Sequence, residues 1–196
     1  MKRALPPLIV AAGLSALAGC AGAGGTLASA ALEMVGIRRP PELPEAQKPP
    51  RKVAIRLHAG DNLNADADGH PLALVARIYK LRQGAAFERI AYQGFLNAHT
   101  ERELLGNDLL EVKEVLLIPG QRYEVVEQVT REAQVIGLVA LFRAPAEQRW
   151  RLAFAASEAE QSGITVGMHA CALSMGAGAQ ALAGAAGKPL AAVRCR

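Results

Sequence analysis

The chain has 196 residues, with 22 Lys and Arg against 18 Asp and Glu, a formal charge of +4, and 51% hydrophobic but only 4% aromatic residues. No block of like charge occurs and the basic residues are not interleaved with aromatics, which excludes the electrostatic stripe of a nucleic-acid binder. The length suits one globular domain with a real core.

At the N-terminus, Lys2 and Arg3 precede an apolar run that ends in Leu17-Ala18-Gly19-Cys20. A basic segment, a short apolar segment and small residues before a cysteine read as a signal peptide over residues 1–19. Pro6 and Pro7 interrupt the run, which also falls short of the roughly 20 residues a bilayer core requires, so a transmembrane helix is not expected. The segment resembles the leader of an exported bacterial lipoprotein. That resemblance implies cleavage between Gly19 and Cys20, a diacylglycerol on the Cys20 thiol and acylation of the new amino terminus. Several acyl chains anchor stably where one binds only marginally. The non-acidic Ala21 resembles lipoproteins sent on to the outer membrane. Loss of Lys2 and Arg3 with the leader brings the remaining charge close to neutral.

Residues 20–51 read as a lipidated, flexible, proline-rich tether. Ala21 to Gly25 is small and glycine-rich, Thr26 to Val35 has modest helical character, and Pro40, Pro41, Pro44, Pro49 and Pro50 follow. Proline-rich chain extends at about 3.1 Å per residue, enough to hold a domain some tens of Å from a membrane.

The folded domain is expected over residues 52–174. Val53, Ile55 and Leu57 alternate with Ala54, Arg56 and His58, the period of a half-buried strand. A polar loop over Gly60 to Leu72 leads to a second strand, Leu74 to Leu81. Further strands are predicted at Val112 to Ile118, Tyr123 to Val129, Gln134 to Phe142, Trp150 to Ala156 and Ile164 to Leu173. Many strands broken by turn signals point to a sandwich rather than a parallel sheet. Residues 85–106 read as a helical insertion. Phe87, Ile90, Ala91, Gly94 and Phe95 fall at helical spacing, and Thr100 with Glu103 forms a capping box for a second helix that stops near Gly106. Residues 175–196 form a Gly/Ala-rich tail with almost no periodicity, expected to be poorly specified.

Of the three cysteines, Cys171 and Cys195 remain once Cys20 is assigned to lipid. An oxidising compartment would allow them to pair, closing a loop on the order of 25 residues worth about 3 kcal/mol. The alternative is a buried free thiol at Cys171 and an unrelated cysteine in the tail.

Catalytic and metal motifs are not singled out. Gly176 to Ala181 matches a loose dinucleotide fingerprint but has no room for the second strand and its acidic residue. Asn64-Ala65-Asp66-Ala67-Asp68-Gly69 looks like half a calcium loop, yet position twelve of that frame is Val75 instead of a bidentate glutamate. Turn chemistry alone selects the same residues, leaving at most a weak cation site. His58, His70, His99 and His169 are scattered, and no serine lies in a Gly-x-Ser-x-Gly frame. No catalytic residue, cofactor, metal or small-molecule substrate is expected.

The order of features resembles the TssJ (SciN-like) outer-membrane lipoproteins of the type VI secretion system. The resemblance rests on Asn62-Leu63-Asn64, Gly69-His70-Pro71-Leu72, Val75-Ala76-Arg77-Ile78-Tyr79-Lys80-Leu81, Phe87 and Phe95, Leu105-Gly106-Asn107-Asp108-Leu109-Leu110, and Ile118-Pro119-Gly120. It covers Val53 to Val126; the end containing Cys195 departs from the family pattern. The resemblance implies an all-β, transthyretin-like antiparallel β-sandwich with a small helical insertion, and a non-catalytic assembly part. Such proteins anchor the secretion complex at the periplasmic face of the outer membrane and recruit the periplasmic C-terminal domain of TssM, with TssL in the same complex. The family's TssM-contacting loop corresponds to Gly60 to Leu72, making Asp61, Asn62, Asn64, Asp66, Asp68 and His70 the candidate partner contacts. Two other classes compete: a lipid-anchored sandwich that binds a glycan or other ligand, which needs exposed aromatics, and a tethered hydrolase, which needs a pocket with convergent polar groups.

Overall fold

The computed structural model describes residues 43–182 together with 193 and 195. The leader, Cys20 and most of the tether expected from the sequence lie outside these residues, as does much of the tail beyond 182. Among the described residues the chain forms strands β1 (Arg51–Ala59), β2 (Leu74–Leu81), β3 (Leu109–Leu117), β4 (Arg122–Val129), β5 (Val135–Ala140), β6 (Arg151–Ala155), β7 (Ile164–Met168) and β8 (Leu173–Met175). Helices α1 (Ala85–Arg89) and α2 (Ala98–Leu105) separate β2 from β3, and α3 (Ala156–Ser162) separates β6 from β7.

The strands build two sheets, ordered β4-β1-β7-β8 and β3-β2-β5-β6. Their inner faces follow from alternation. Val53, Ile55 and Leu57 of β1 and Ile164, Val166 and Met168 of β7 face Leu74, Ala76 and Ile78 of β2 and Ile136 and Leu138 of β5, all buried. This is the two-layer packing of an all-β sandwich. Every neighbouring pair is antiparallel except β1 with β7. The parallel pair departs from a purely antiparallel expectation and depends on a helix the sequence reading missed: α3 carries the chain from one sheet to the other, so β7 starts at the same end as β1. The segment from Ile164 to Leu173 is two strands instead of one, because His169 donates its amide to the Ala172 carbonyl and reverses the chain.

The outer face of the second sheet is also covered. Phe87 and Phe95 of the insertion lie against Tyr79 of β2, with ring centroids 5.4 to 5.8 Å apart, and Trp150 stacks edge-on against Phe95 and Tyr92. Gly137 makes room, since a methyl there would stand 2.7 Å from Phe87 Cζ. The apolar stripe from Phe87 to Phe95 is a helix and a 3-10 turn (Tyr92–Phe95) rather than one helix, because Ile90 and Ala91 are extended. The Arg151 guanidinium ends α1 by donating to the carbonyls of Phe87, Glu88 and Ile90. Asn97, not Thr100, caps α2: its Oδ1 accepts the amides of His99 and Thr100 at 2.9 and 3.1 Å. An Asn one turn earlier satisfies the first free N–H groups and draws Thr100 into the helix.

The tail is more ordered through residue 182 than its composition suggests. Ala179 is buried, Ala181 bridges Phe154, and the Leu182 amide donates to Ala153 along the edge of β6.

One edge of the sandwich is closed by charge. Lys80 and Glu127 point inward from opposite sheets, 3.1 Å apart, where alternation would place apolar residues. Lys113 reaches the other Glu127 oxygen at 2.7 Å, and Glu111 pairs with Lys80 at 2.9 Å. Burial would raise the Glu127 carboxyl, but hydrogen bonds from Lys113 and Lys80 prevail and hold it below its ordinary 4.5. A carboxylate depressed in the folded state contributes stability above its unfolded value, and that contribution disappears as pH falls through the folded one. Glu127→Gln removes the buried carboxylate between Lys80 and Lys113, leaving buried Lys80 only its pairing with the exposed Glu111, and is expected to cost about 3 kcal/mol at neutral pH. Urea denaturation of the variant against wild type checks this, with the gap narrowing as the pH drops below 4.5.

Candidate functional site

Register places four connections at one end of the sandwich. His58 pairs with Arg122, Leu74 with Leu117, Val139 with Arg151, and Met168 with Leu173, so the β1–β2, β3–β4, β5–β6 and β7–β8 links emerge together. The chain enters β1 at the opposite end. There Arg131 pairs with Glu160 through two 3.0 Å contacts and donates to the Pro49 carbonyl at 2.7 Å. Glu45 lies 3.7 and 3.6 Å from Arg51 and Arg131, which holds residues 45–50 against this end.

The β1–β2 loop is a folded object. The amides of Gly60, Asn64 and Ala65 donate to the carbonyls of Met168, His169 and Ala170 at 2.8 to 3.0 Å, and Leu72 donates back to Leu63. Leu63 is fully buried beneath the loop. Below it the β3–β4 turn is tied in by the Gly120 amide on the Gly60 carbonyl and the Ala59 amide on Gln121. Gly120 has φ +77, a left-handed conformation that favours glycine.

Of the six candidate contacts, Asp61, Asn62, Asp68 and His70 are exposed and Asp66 is half-buried. Asp66 Oδ1 accepts the amides of Asp68 and His70, both at 2.9 Å, and the His70 amide above all holds its carboxyl below the ordinary value. Asn64 belongs elsewhere. It is only 7% exposed, its Nδ2 donates to the Ala73 carbonyl and its Oδ1 accepts the Arg143 amide, both at 2.8 Å. Its side chain therefore fastens the loop to the β5–β6 connection instead of facing a partner. The inward turn also removes one of the alternating oxygens of the half calcium loop. Asp66, Asp68 and His70 keep ligand atoms within 4.8 Å of one another, but this is the grouping an Asx turn produces unaided.

Beside the loop, on the solvent face of the first sheet, is a hollow of about 450 Å³ lined by His58, Asp61, Arg122, Thr165, His169 and Ser174 among others. Alternation along β1 puts His58 on the solvent face, but nothing local places it beside Arg122 and β8. Ser174, five residues after His169, has its Oγ 2.8 Å from His169 Nε2. Burial pushes the His169 imidazole below its ordinary value, favouring the neutral ring. A base in a hydrolytic triad is oriented by a third group, and among the described residues no carboxylate hydrogen-bonds to His169. Trp150 is buried under Tyr92 and Phe95, so it offers no stacking platform for a sugar.

The two remaining cysteines are joined. Cys171, in the β7–β8 turn, is bonded to Cys195 and is buried with Ala146 and Ala172 under Val193. Asn64→Ala would unpair the Ala73 carbonyl and the Arg143 amide and place alanine at φ +48. A loss of about 2 kcal/mol is expected, measured by thermal denaturation, together with faster proteolysis within residues 60–73.

Comparison with known proteins matches residues 51–171 to the family T6SS-SciN, described as type VI secretion lipoproteins that include VasD, EvfM and TssJ. No curated protein sequence matches. Among solved structures, the T6SS lipoprotein TssJ1 from Pseudomonas aeruginosa is similar at 31% identity and a TM-score of 0.59, covering 67% of this chain and 98% of that one. A chain of a structure described as a type VI membrane complex matches at 25% identity and a TM-score of 0.58, over 64% and 97%. A chain of a structure described as the TssM C-terminal domain from EAEC matches at 25% identity and a TM-score of 0.56, over 63% and 98%. A family match spanning more than half of the sequence, carried by the same two-sheet fold, makes this chain a member of the T6SS-SciN (TssJ) family of type VI secretion lipoproteins.

Proposed function

We propose that the protein is a non-catalytic adaptor of the type VI secretion envelope complex, anchored to the periplasmic face of the outer membrane through lipid on Cys20. Its β1–β2 loop docks the periplasmic C-terminal domain of TssM, with TssL in the same assembly. The carrying observation is the polarity of the fold. The chain enters β1 at Arg51 and the loop leaves it after Ala59, and a nine-residue strand spans about 30 Å. A domain held by its N-terminal segment thus presents the loop end away from its attachment. No helix among the described residues is long and apolar enough to cross a membrane, and a multiply acylated cysteine needs none to anchor the chain.

The loop end suits protein recognition. It combines acidic Asp61, Asp66 and Asp68 with exposed Leu72 and Ile118, a polar rim around a few apolar anchors. The similarity to chains in structures described as a type VI membrane complex and as the TssM C-terminal domain supports TssM as the partner.

Replacing loop residues 65–71 with a short Gly/Ser turn, which keeps Leu63 and Asn64, is expected to lower affinity for the TssM C-terminal domain at least a hundredfold. Calorimetric titration measures it, and unchanged affinity would reject the loop as the docking element. In cells, Cys20→Ser is expected to move the protein from the membrane to the soluble fraction; retention in the membrane fraction would refute lipid anchoring.

A further inference from the structure

We propose that the Cys171–Cys195 disulfide is a staple that holds the β1–β2 loop in its docking conformation, and that a dithiol reductant loosens this loop without unfolding the sandwich. The functional half rests on the docking role proposed above; the structural half does not.

The β7–β8 turn is the base on which the loop is built. Four consecutive carbonyls take up amides from other connections: Met168, His169 and Ala170 accept Gly60, Asn64 and Ala65 of the β1–β2 loop, and Cys171 accepts Ala146 of the β5–β6 link at 2.8 Å. Within the turn the His169 amide donates to the Ala172 carbonyl and His169 Nε2 lies 2.8 Å from Ser174 Oγ, and the turn leads into a strand of only three residues. Such a short edge hairpin is weakly held by its own ladder. What adds a constraint is the bond to Cys195, which brings Val193 over Cys171, Ala172 and Ala146. The family match ends at residue 171, so Cys195 lies beyond the matched region.

Exposure makes the bond addressable from one side. Cys195 is exposed while Cys171 is buried. A thiolate of the reductant attacks Cys195 Sγ, the S–S bond breaks, and Cys171 leaves as a thiolate that takes a proton. The second thiol of the reductant then displaces Cys195 from the mixed disulfide. Each cysteine sulfur gains one electron and one proton, and the dithiol leaves as its own disulfide. The loop amides then donate to carbonyls of a turn that has lost its far attachment, and local opening becomes easier than opening of the strands.

The test is amide hydrogen exchange on the mature chain in three forms: oxidised wild type, wild type reduced with dithiothreitol, and Cys195→Ser, with Cys171→Ala as a second way to remove the bond. Exchange at Gly60, Asn64 and Ala65 is expected to accelerate about tenfold or more in every form lacking the bond, with β1 and β5 unchanged. Unchanged loop exchange overturns the staple, and so does acceleration of β1 and β5 in step with the loop, which would mean that the bond supports the whole fold. Affinity for the TssM C-terminal domain is expected to fall about tenfold alongside. Equal affinity in oxidised and reduced forms, with the loop loosened, overturns the functional half. Failure of all forms to bind TssM counts against the docking role, while the exchange data still decide the staple.

Discussion

The parallel pairing of β7 with β1 is the constraint from which the rest of the molecule follows. Two parallel neighbours finish at the same end of their sheet, so whatever follows β1 must lie beside whatever follows β7. That adjacency lets the amides of Gly60, Asn64 and Ala65 find acceptors at Met168, His169 and Ala170, and it turns a long polar connection into a folded one. Parallel strands cannot be joined by a tight hairpin. The chain therefore returns through β6 of the other sheet and α3 at the entry end, where Glu160 of α3 meets Arg51 and Arg131. One pairing thus separates an end occupied by the incoming chain from an end occupied by loops.

The second sheet supplies rigidity beneath this division. β2 and β5 are covered on both faces, by the first sheet on one side and by the aromatic insertion on the other, which explains why β5 is buried at every residue. Arg151 joins the insertion to β6 by taking three carbonyls at the end of α1, and its guanidinium lies 4.7 Å from the Trp150 ring centroid. Arg77 similarly reaches up from β2 to the Phe95 carbonyl and to Glu101, itself buried. The charged edge between Lys80, Lys113 and Glu127 closes one side of the sandwich and joins strands of both sheets. A scaffold held at so many points can carry its functional residues on connections without losing their geometry.

The loop end mixes roles that a list of residue types would merge. Asp61, Asn62, Asp68 and His70 face solvent, whereas Asn64, chemically alike and two residues from Asn62, is spent on internal hydrogen bonds. Ser174 and His169 meet because β8 folds back on β7, and their contact ties the same hairpin that receives the loop. Recognition and support are thus interleaved residue by residue, and a perturbation of the turn is felt in the loop.

Local rules decide much of this protein. Period-two alternation marks β1, β2 and β4 because one face of each must be dry, Gly106 and Gly120 end elements because their positive φ suits glycine, and the shared motifs point to the family. Alternation cannot reveal partners. The parallel β1/β7 pairing, α3, the break at Ile90 forced by Arg151 from β6, and the inward turn of Asn64 toward Arg143 all depend on groups distant in sequence. Spacing likewise leaves the Cys171–Cys195 bond open, since a disulfide needs two backbones brought within reach, and only the tertiary structure sets Cys195 beside the β7–β8 turn. What one segment can do follows from its own side chains, whereas what it does here was decided by whichever segment supplied the missing acceptor, charge or surface.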